Sequence, residues 1–405
     1  MPTRHLSNTA LYTLHLMSAA LRNTAAMDIP QGASWEQVFK AASSNSVATI
    51  CAFAANDTSQ PWQAEVDKNL YRIVSFEVQR MEIFAAMEQE GLSYLPLKGA
   101  VLKDLYPRPE MRWMCDNDIL YGQVKPCKNG GFEAQNTDDS MAKMRQIMES
   151  HGFKTVHYGA GNHDSFEKQP FYNFEMHRGL ANPEVDWWQY YENPWSRAKQ
   201  TATSHFAYEF SHEDVYLFHI AHTHKHFANA GCGVRCIADE WVLLNAWGNV
   251  LDWNYITAEL NKLGMLEFEQ QLKALAQAVL EDDVYGKALA GKPETLSSSN
   301  EALLAYMLGS GTYGTTQNSV KNKLVKEKGE GVSAKARYLL HRAFPKPESI
   351  KLGYPIVSEH PWMLPAVYVY RLIVLPFAHA KKLSAELKAV AEYSDTSVRE
   401  ETPSE

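Results

Sequence analysis

Two aspartates separated by one residue, Asp116 and Asp118, are the side chains of this sequence best placed to do chemistry. They lie in the otherwise apolar run CDNDILY, which is typical of a β-strand. Because side chains alternate between the two faces of a strand, we expect both carboxylates on one face of a sheet. Neighbouring buried carboxylates repel each other unless a cation lies between them. A hard divalent ion such as Mg²⁺ prefers carboxylate oxygens and leaves room for substrate phosphates, so the pair predicts a magnesium site.

A second polar element, Lys98-Gly99, follows the short apolar run YLPL and is typical of a strand-to-helix turn. Glycine allows a close approach of the backbone, and the start of a helix together with the Lys98 ammonium favours a bound anion. Arg112 then precedes the aspartates. The order of strand, phosphate-facing turn, helix, loop and carboxylate-bearing strand favours a functional pair over two aspartates in a solvated loop.

These residues resemble the signature of the uncharacterised nucleotidyltransferase family, in the DNA polymerase beta-like nucleotidyltransferase superfamily. Members carry a Leu-Lys-Gly turn, a Tyr-Pro loop, an arginine and an Asp-x-Asp strand, matched here by Leu97, Lys98, Gly99, Tyr106, Pro107, Arg112, Asp116 and Asp118. Cys115 stands where a glycine is common, and Asn117 where an apolar residue is usual. Asn117 is expected on the opposite face of the strand, where its amide needs a hydrogen-bond partner.

The resemblance also implies a third carboxylate. The segment KQPFYNFEMHRGL predicts a strand with Asn173, Glu175 and His177 on one face, and the family carries an acidic residue there, followed after one residue by a histidine. Glu175 would then lie beside the two aspartates on a neighbouring strand. The likeness extends over about residues 65 to 375, including the GTYG loop at 311–314 and the proline-rich segment 344–365, and is strongest at 95–121.

The activity implied by the resemblance is transfer of a nucleoside monophosphate from an NTP to an acceptor, with release of pyrophosphate. Two Mg²⁺ ions would be held by the catalytic carboxylates Asp116, Asp118 and Glu175. Lys98 and the Gly99 amide would contact the β- and γ-phosphates of the NTP, and Arg112 would neutralise charge on the leaving group.

A histidine-rich pair of helices, SHEDVYLFHIAHTHKHFAN and CIADEWVLLNAW, follows the predicted core. The family carries a similar helix followed by an arginine and an aspartate, and the residues matched here are His222, His226, Arg235 and Asp239. His222 and His226 are four residues apart and therefore share one helix face. We predict that this set faces the nucleotide cleft on the acceptor side. The alternatives are a zinc site with Cys232 and Cys236, or histidines of the core and surface.

The chain has 405 residues, which is enough for two or three domains. We predict an α+β fold in which a small mixed β-sheet carries the site, with N-terminal helices and a larger C-terminal helical lobe. The predicted parts are an N-terminal helical segment at 1–63, the nucleotidyltransferase core at 64–205, a helical domain at 206–345, a C-terminal helical segment at 346–390 and a disordered tail at 391–405.

The composition of the chain limits the classes of molecule that we expect it to bind. The formal net charge is −8, so the chain lacks the global positive field of a nucleic-acid-binding protein. We therefore favour a small molecule or a protein over tRNA as the acceptor. Five scattered cysteines, with no predicted signal peptide and no continuous apolar run of membrane-spanning length, predict a cytoplasmic protein without a membrane partner.

Two further interpretations remain open at the level of sequence. A toxin-like transferase acting on tRNA or on a partner protein would share the Lys-Gly turn and the Asp-x-Asp strand. A catalytically degenerate nucleotide-binding scaffold is suggested by Cys115 and Asn117.

Overall fold

The computed structural model describes residues 6–128, 130–183, 185–292, 296–327, 332–354, 356–378 and 380–393. Within these ranges the chain divides into two units. The larger consists of residues 6–222 and 235–292, and the smaller of residues 223–234 and 296–393. The division predicted from the sequence, at residues 63, 205, 345 and 390, stays a prediction. Most of the predicted disordered tail, from residue 394 onwards, lies outside the described residues.

The larger unit contains a six-stranded sheet in the order β1-β2-β6-β5-β4, with β3 paired to the far end of β2. Strands β2 and β6 run parallel, and the other pairs are antiparallel, so the sheet is small and mixed as predicted. The strands are β1 (Ser93–Pro96), β2 (Asn117–Pro126), β3 (Phe132–Gln135), β4 (Lys154–His157), β5 (His163–Lys168) and β6 (Tyr172–His177), and a separate pair is formed by β7 (Ala198–Gln200) and β8 (Tyr208–Phe210).

Helices make up most of the rest of the described chain. Before and within the sheet region they are α1 (Asn8–Leu21), α2 (Trp35–Ser44), α3 (Ala48–Cys51), α4 (Trp62–Gln89), α5 (Gly99–Leu102) and α6 (Thr137–Ser150). After the sheet they are α7 (His212–Phe227), α8 (Arg235–Trp247), α9 (Trp253–Leu263), α10 (Leu266–Ala276) and α11 (Val284–Leu289). The last group is α12 (Ser298–Ser310), α13 (Thr316–Lys326), α14 (Val332–Ala343), α15 (Pro347–Gly353), α16 (Ile356–Glu359), α17 (Leu364–Ala378) and α18 (Ala380–Glu392). The fold is α+β, as predicted.

Local signals explain several helix boundaries. Ser34 caps α2 with its side chain, and Gln37 completes a capping box at the same end. Ser211 accepts from the N–H of Asp214 at 3.1 Å at the start of α7, which is the cap expected from the sequence. Among the helices that the structure describes, none combines the length and the hydrophobicity needed to cross a bilayer.

One face of the sheet is buried against α4 and α6. Ile119 and Tyr121 of β2 and Phe174 and Met176 of β6 belong to a single apolar cluster. Residues of α4 and α6 in that cluster include Phe76, Met87, Met144 and Ile147. Because neighbouring residues of a strand point to opposite faces, Asp118 and Glu175 are directed to the other face. The buried face therefore anchors the two strands that carry the acidic residues.

Candidate active site

Asp118 and Glu175 lie next to each other on neighbouring strands. Asp118 in β2 pairs in register with Glu175 in β6. Two residues further along β6, His177 brings its Nε2 atom to 2.8 Å from Asp118 Oδ1 and 3.7 Å from Glu175 Oε2. Asp116 directly precedes β2 and is half-buried. The structure thus brings the second aspartate and the predicted glutamate together, with the first aspartate at the start of the same strand.

Lys98 adds a positive charge to this group. The backbone N–H of Leu97 donates to the carbonyl oxygen of Asp118 at 2.9 Å, which extends the pairing of β1 with β2 as far as the turn. The Lys98 ammonium then lies 2.6 Å from Asp118 Oδ1. Lys98 has φ 48° and ψ −119°, a backbone conformation that side-chain-bearing residues rarely adopt. Such a conformation costs about 1–3 kcal/mol and persists where the surroundings fix it, often at functional sites.

The environment shifts the pKa values of the three carboxyl groups in different directions. Burial alone would raise the pKa of Asp118, but the Lys98 ammonium and the hydrogen bond from His177 hold it well below its usual value. Burial and then the charge of Asp118 raise the pKa of Glu175 to about 7. The same two causes raise the pKa of Asp116 to about 6. At neutral pH Asp118 is therefore ionised, and Glu175 is poised to exchange a proton.

The turn at Gly99 leaves room for Arg112. A Cβ atom on Gly99 would lie 2.5 Å from Arg112 Nη1 and 2.8 Å from Met114 Sδ. Arg112 is 6% exposed, and its Nε and Nη2 atoms donate to Asp239 at 2.8 and 3.1 Å. Tyr106 donates to the same carboxylate at 2.8 Å. The edge of the Arg112 guanidinium formed by Nε and Nη2, which could bind an anion in a bidentate manner, is thus occupied by Asp239 of α8.

Asn69 in α4 holds the loop that leads to the aspartates. Its buried amide nitrogen donates to the carbonyl oxygens of Glu110 and Arg112, both at 2.9 Å. Its side-chain oxygen accepts from the N–H of Met114 at 3.1 Å. Because backbone groups of a buried loop need such partners, this one amide fixes the path of the chain into β2.

Asn117 points to the face opposite Asp118, as predicted. Its Oδ1 accepts from Arg80 Nη1 of α4 at 3.0 Å, and Arg80 also pairs with Glu77. Asn117 is fully buried, and its Nδ2 has no hydrogen-bond partner among the described residues. The polar residue at this position therefore ties β2 to α4 and leaves the site face unchanged.

The remaining predicted residues lie on α7 and α8. Arg235 is half-buried, and its charge offsets part of the effect of burial on the pKa of Asp116. No hydrogen bond or ion pair among the described residues involves the Arg235 guanidinium. His222 is half-buried in the larger unit, whereas His226 is exposed and belongs to the smaller one. Asp239 accepts the two hydrogen bonds from Arg112 described above.

Comparison of the sequence with protein-family models agrees with this geometry. The model of a family described as uncharacterised nucleotidyltransferase matches residues 31–129 and 135–281, more than half of the chain. The chain belongs to this nucleotidyltransferase family. No curated protein and no solved structure matches it significantly. The family match covers α7 to α10 and the strands of the sheet, except for most of β3. It does not reach the loop at 311–314 or the segment 344–365, where the resemblance was also expected.

For a nucleotidyltransferase, the carboxylates should be able to hold divalent metal ions. Donor atoms of Asp118, Glu175 and His177 lie within 4.8 Å of one another. Within the described residues this is the one group of three or more His, Cys, Asp or Glu side chains that converges so closely. Oxygens of neighbouring carboxylates are suitable ligands for a divalent ion. The side chains present at this site are therefore compatible with binding such an ion.

The functional residues predicted from the sequence do not include His177 or His163. His163 in β5 pairs in register with His177, and its Nε2 lies 3.9 Å from Glu175 Oε2. Burial and then the charge of His177 lower the pKa of His163 to about 4. The alternation of Glu175 and His177 along one strand was the available signal for His177. No sequence pattern connects His163 or Asn69 with the site.

Proposed function

We propose that this protein transfers a nucleoside monophosphate from an NTP to an acceptor hydroxyl or phosphate oxygen, with release of pyrophosphate. The observation that carries the proposal is the register of β2 and β6, which puts Glu175 beside Asp118. Lys98 contacts the same group of carboxylates. Family membership supports the general activity.

The metal ions proposed for the reaction are two Mg²⁺. Asp116, Asp118 and Glu175 would hold them. When bound, such ions would neutralise the triphosphate and stabilise the attacking and leaving oxygens of an in-line displacement.

The protein's own groups would position the reactants. An acceptor oxygen attacks the α-phosphorus of the NTP, the bond from that phosphorus to the bridging oxygen breaks, and pyrophosphate leaves. Glu175 would take the proton of the acceptor as a general base. The Lys98 ammonium and the N–H of Gly99, which as the first residue of α5 lacks a helical partner, would contact the β- and γ-phosphates.

Arg235 is better placed than Arg112 to take up charge on the leaving group. The guanidinium edge formed by Nε and Nη2 of Arg112 is directed at Asp239. Arg235 has no such partner among the described residues and acts electrostatically on Asp116. We propose that Arg112 positions the loop and that Arg235 binds phosphate, because a guanidinium free of a protein partner can bind a phosphate in a bidentate manner.

The acceptor side is proposed to involve His222 and Asp239 of the larger unit, and the acceptor to be a small molecule or a protein. The net charge of −8 disfavours tRNA, which a toxin-like transferase would modify. The degenerate-scaffold interpretation is weakened because the hydrogen bond from Arg80 accounts for Asn117 on the face away from the carboxylates. A cytoplasmic location is part of the proposal.

The proposal is tested by incubating the full-length protein with each NTP, labelled in the α-phosphate or in the γ-phosphate, with Mg²⁺ and a cell extract. Transfer of the α-label with release of pyrophosphate is expected, and D116N/D118N should abolish it. The exposed Glu167 of β5 provides the matched control E167Q, which should retain it. Transfer of the γ-label, or NTP binding without any transfer, would overturn the proposal, and label on tRNA would favour the toxin-like alternative.

A further inference from the structure

His177 introduces a nitrogen donor into a group that otherwise offers oxygens. Its Nε2 lies 2.8 Å from Asp118 Oδ1 and 3.7 Å from Glu175 Oε2. The side chain is 6% exposed, so packing holds the imidazole in this position. The same nitrogen therefore faces both carboxylates from one side.

A histidine can also serve to orient a carboxylate by a hydrogen bond. In the structure the Nε2 atom of His177 forms a hydrogen bond with Asp118 Oδ1 at 2.8 Å, and the same oxygen accepts from Lys98. The donor atoms of His177, Asp118 and Glu175 nevertheless all lie within 4.8 Å of one another, so that one ion could replace this hydrogen bond and bind all three. This convergence is the arrangement expected of three ligands of one ion.

A second imidazole lies close to the same oxygen of Glu175. The Nε2 atom of His163 is 3.9 Å from Glu175 Oε2, and the rings of His163 and His177 have centroids 5.1 Å apart. The His163 side chain is 32% exposed, so this side of the group is open to solvent. The donor set available around Glu175 is thus mixed, with carboxylate oxygens and imidazole nitrogens.

We propose that Asp118, Glu175 and His177 form a mixed nitrogen and oxygen metal site that selects a first-row transition ion such as Mn²⁺ over Mg²⁺. Mg²⁺ prefers oxygen ligands in near-ideal octahedral geometry, whereas imidazole favours transition ions. The inference deepens the proposed function, since it assigns the ion nearest to Glu175. Asp116 keeps its proposed role in binding the other ion, for which no imidazole is assigned.

The test uses the full-length protein with Mn²⁺ alone, without nucleotide, and measures electron spin echo modulation from an imidazole nitrogen bound to the ion. Wild type should show this modulation. H177Q should lose it and bind Mn²⁺ at least about tenfold more weakly, since loss of a ligand should cost no less than loss of a group that orients one. His157 in β4, whose Nε2 bonds to the carbonyl oxygen of Ala160 at 3.0 Å, gives the matched control H157Q, which should behave as wild type.

Selectivity is measured by competition, in which Mg²⁺ should displace Mn²⁺ only in large excess from wild type and more readily from H177Q. Protein labelled with the heavier nitrogen isotope in histidine should shift the modulation frequency, so the test holds even if H177Q does not fold. Absence of Mn²⁺ binding, binding without nitrogen modulation, or equal competition by Mg²⁺ would each overturn the inference. Since no nucleotide is present, these results are independent of whether the protein transfers a nucleotide.

Discussion

Arg112 and Asp239 form a buried bidentate ion pair that connects the loop before the aspartates to helix α8. The Nε and Nη2 atoms of Arg112 lie 2.8 and 3.1 Å from the two carboxylate oxygens. Burial opposes ionisation of Asp239, but the charge of Arg112 keeps its pKa below the usual value. Arg112 and Asp239 were both predicted from the sequence to contact a substrate. They instead bind each other, so we assign them a structural role.

Replacing Asp239 by asparagine should lower the free energy of unfolding by about 3–5 kcal/mol, because Arg112 would remain as a buried charge without its partner. The control is E110Q, since Glu110 lies 3.9 Å from Arg108, whose side chain is 63% exposed; its effect should be below about 1 kcal/mol. Urea denaturation of both variants measures the difference. Equal stability of D239N and wild type would contradict the structural role.

Gly99 should not tolerate a methyl group. In G99A the new Cβ would lie 2.5 Å from Arg112 Nη1, and overpacking of this kind costs about 1–3 kcal/mol. Gly179 provides the control because a Cβ there has no neighbour within 4 Å and its φ angle is ordinary. Thermal melting should separate G99A from G179A, and identical melting temperatures would show that the turn is looser than described.

Asn117 and Arg80 should be energetically coupled. N117V and R80M each remove one partner of a buried hydrogen bond, so each should destabilise the protein by about 1–3 kcal/mol. The double variant should be more stable than the sum of the two single losses predicts, with a coupling free energy of at least about 0.5 kcal/mol. Metal binding should survive in N117V because the amide lies on the face away from Asp118. Additive losses in a double-mutant cycle would exclude the coupling.

Stability without metal should fall as pH rises from about 4.5 to about 7, in part through Glu175. Burial and Asp118 raise the pKa of Glu175 from 4.5 to about 7 in the folded protein, so within this window the unfolded chain has lost a proton that the folded chain retains. Asp116, with its pKa raised to about 6, acts in the same direction. Asp118 acts oppositely, but only at lower pH, because its pKa is lowered.

The variant E175Q should therefore have a smaller loss of stability between about pH 5 and about pH 7.5 than wild type. Urea denaturation in the presence of a chelator measures this slope, and E167Q at an exposed position of β5 is the control. An unchanged slope in E175Q would show that the carboxyl group of Glu175 has an ordinary pKa.

Sequence reasoning located the strands of the site because their signals are local. The alternation in CDNDILY and in YNFEMH predicts strands, and the structure has β2 and β6 at these positions. The opposite orientations of Asn117 and Asp118 follow from the same period. That Glu175 pairs with Asp118 depended on the family resemblance, because strand order and register are set by contacts between residues far apart in sequence.

The parts that sequence reasoning missed depend on such long-range contacts. The side chain of Asn69 forms hydrogen bonds with a loop more than forty residues away in the sequence. The periodic pattern of apolar residues in a helix does not indicate which polar side chain will be buried. His163 joins the site through the β5–β6 hairpin register. The ion pair of Arg112 with Asp239 spans 127 positions, so residue types alone could not distinguish a ligand for phosphate from a ligand for a carboxylate.

The central claim, that Asp118 and Glu175 hold metal ions which anchor an NTP, is tested most directly by calorimetric titration with a non-hydrolysable NTP analogue, with Mg²⁺ or Mn²⁺ and with a chelator. Wild type should lose at least about tenfold in affinity when the metal is removed. D118N and E175Q should show this loss even with metal present, while E167Q and D104N, the latter at a side chain that is 60% exposed, should bind as wild type does. Equal affinity in D118N, or binding that is indifferent to the chelator, would contradict the account.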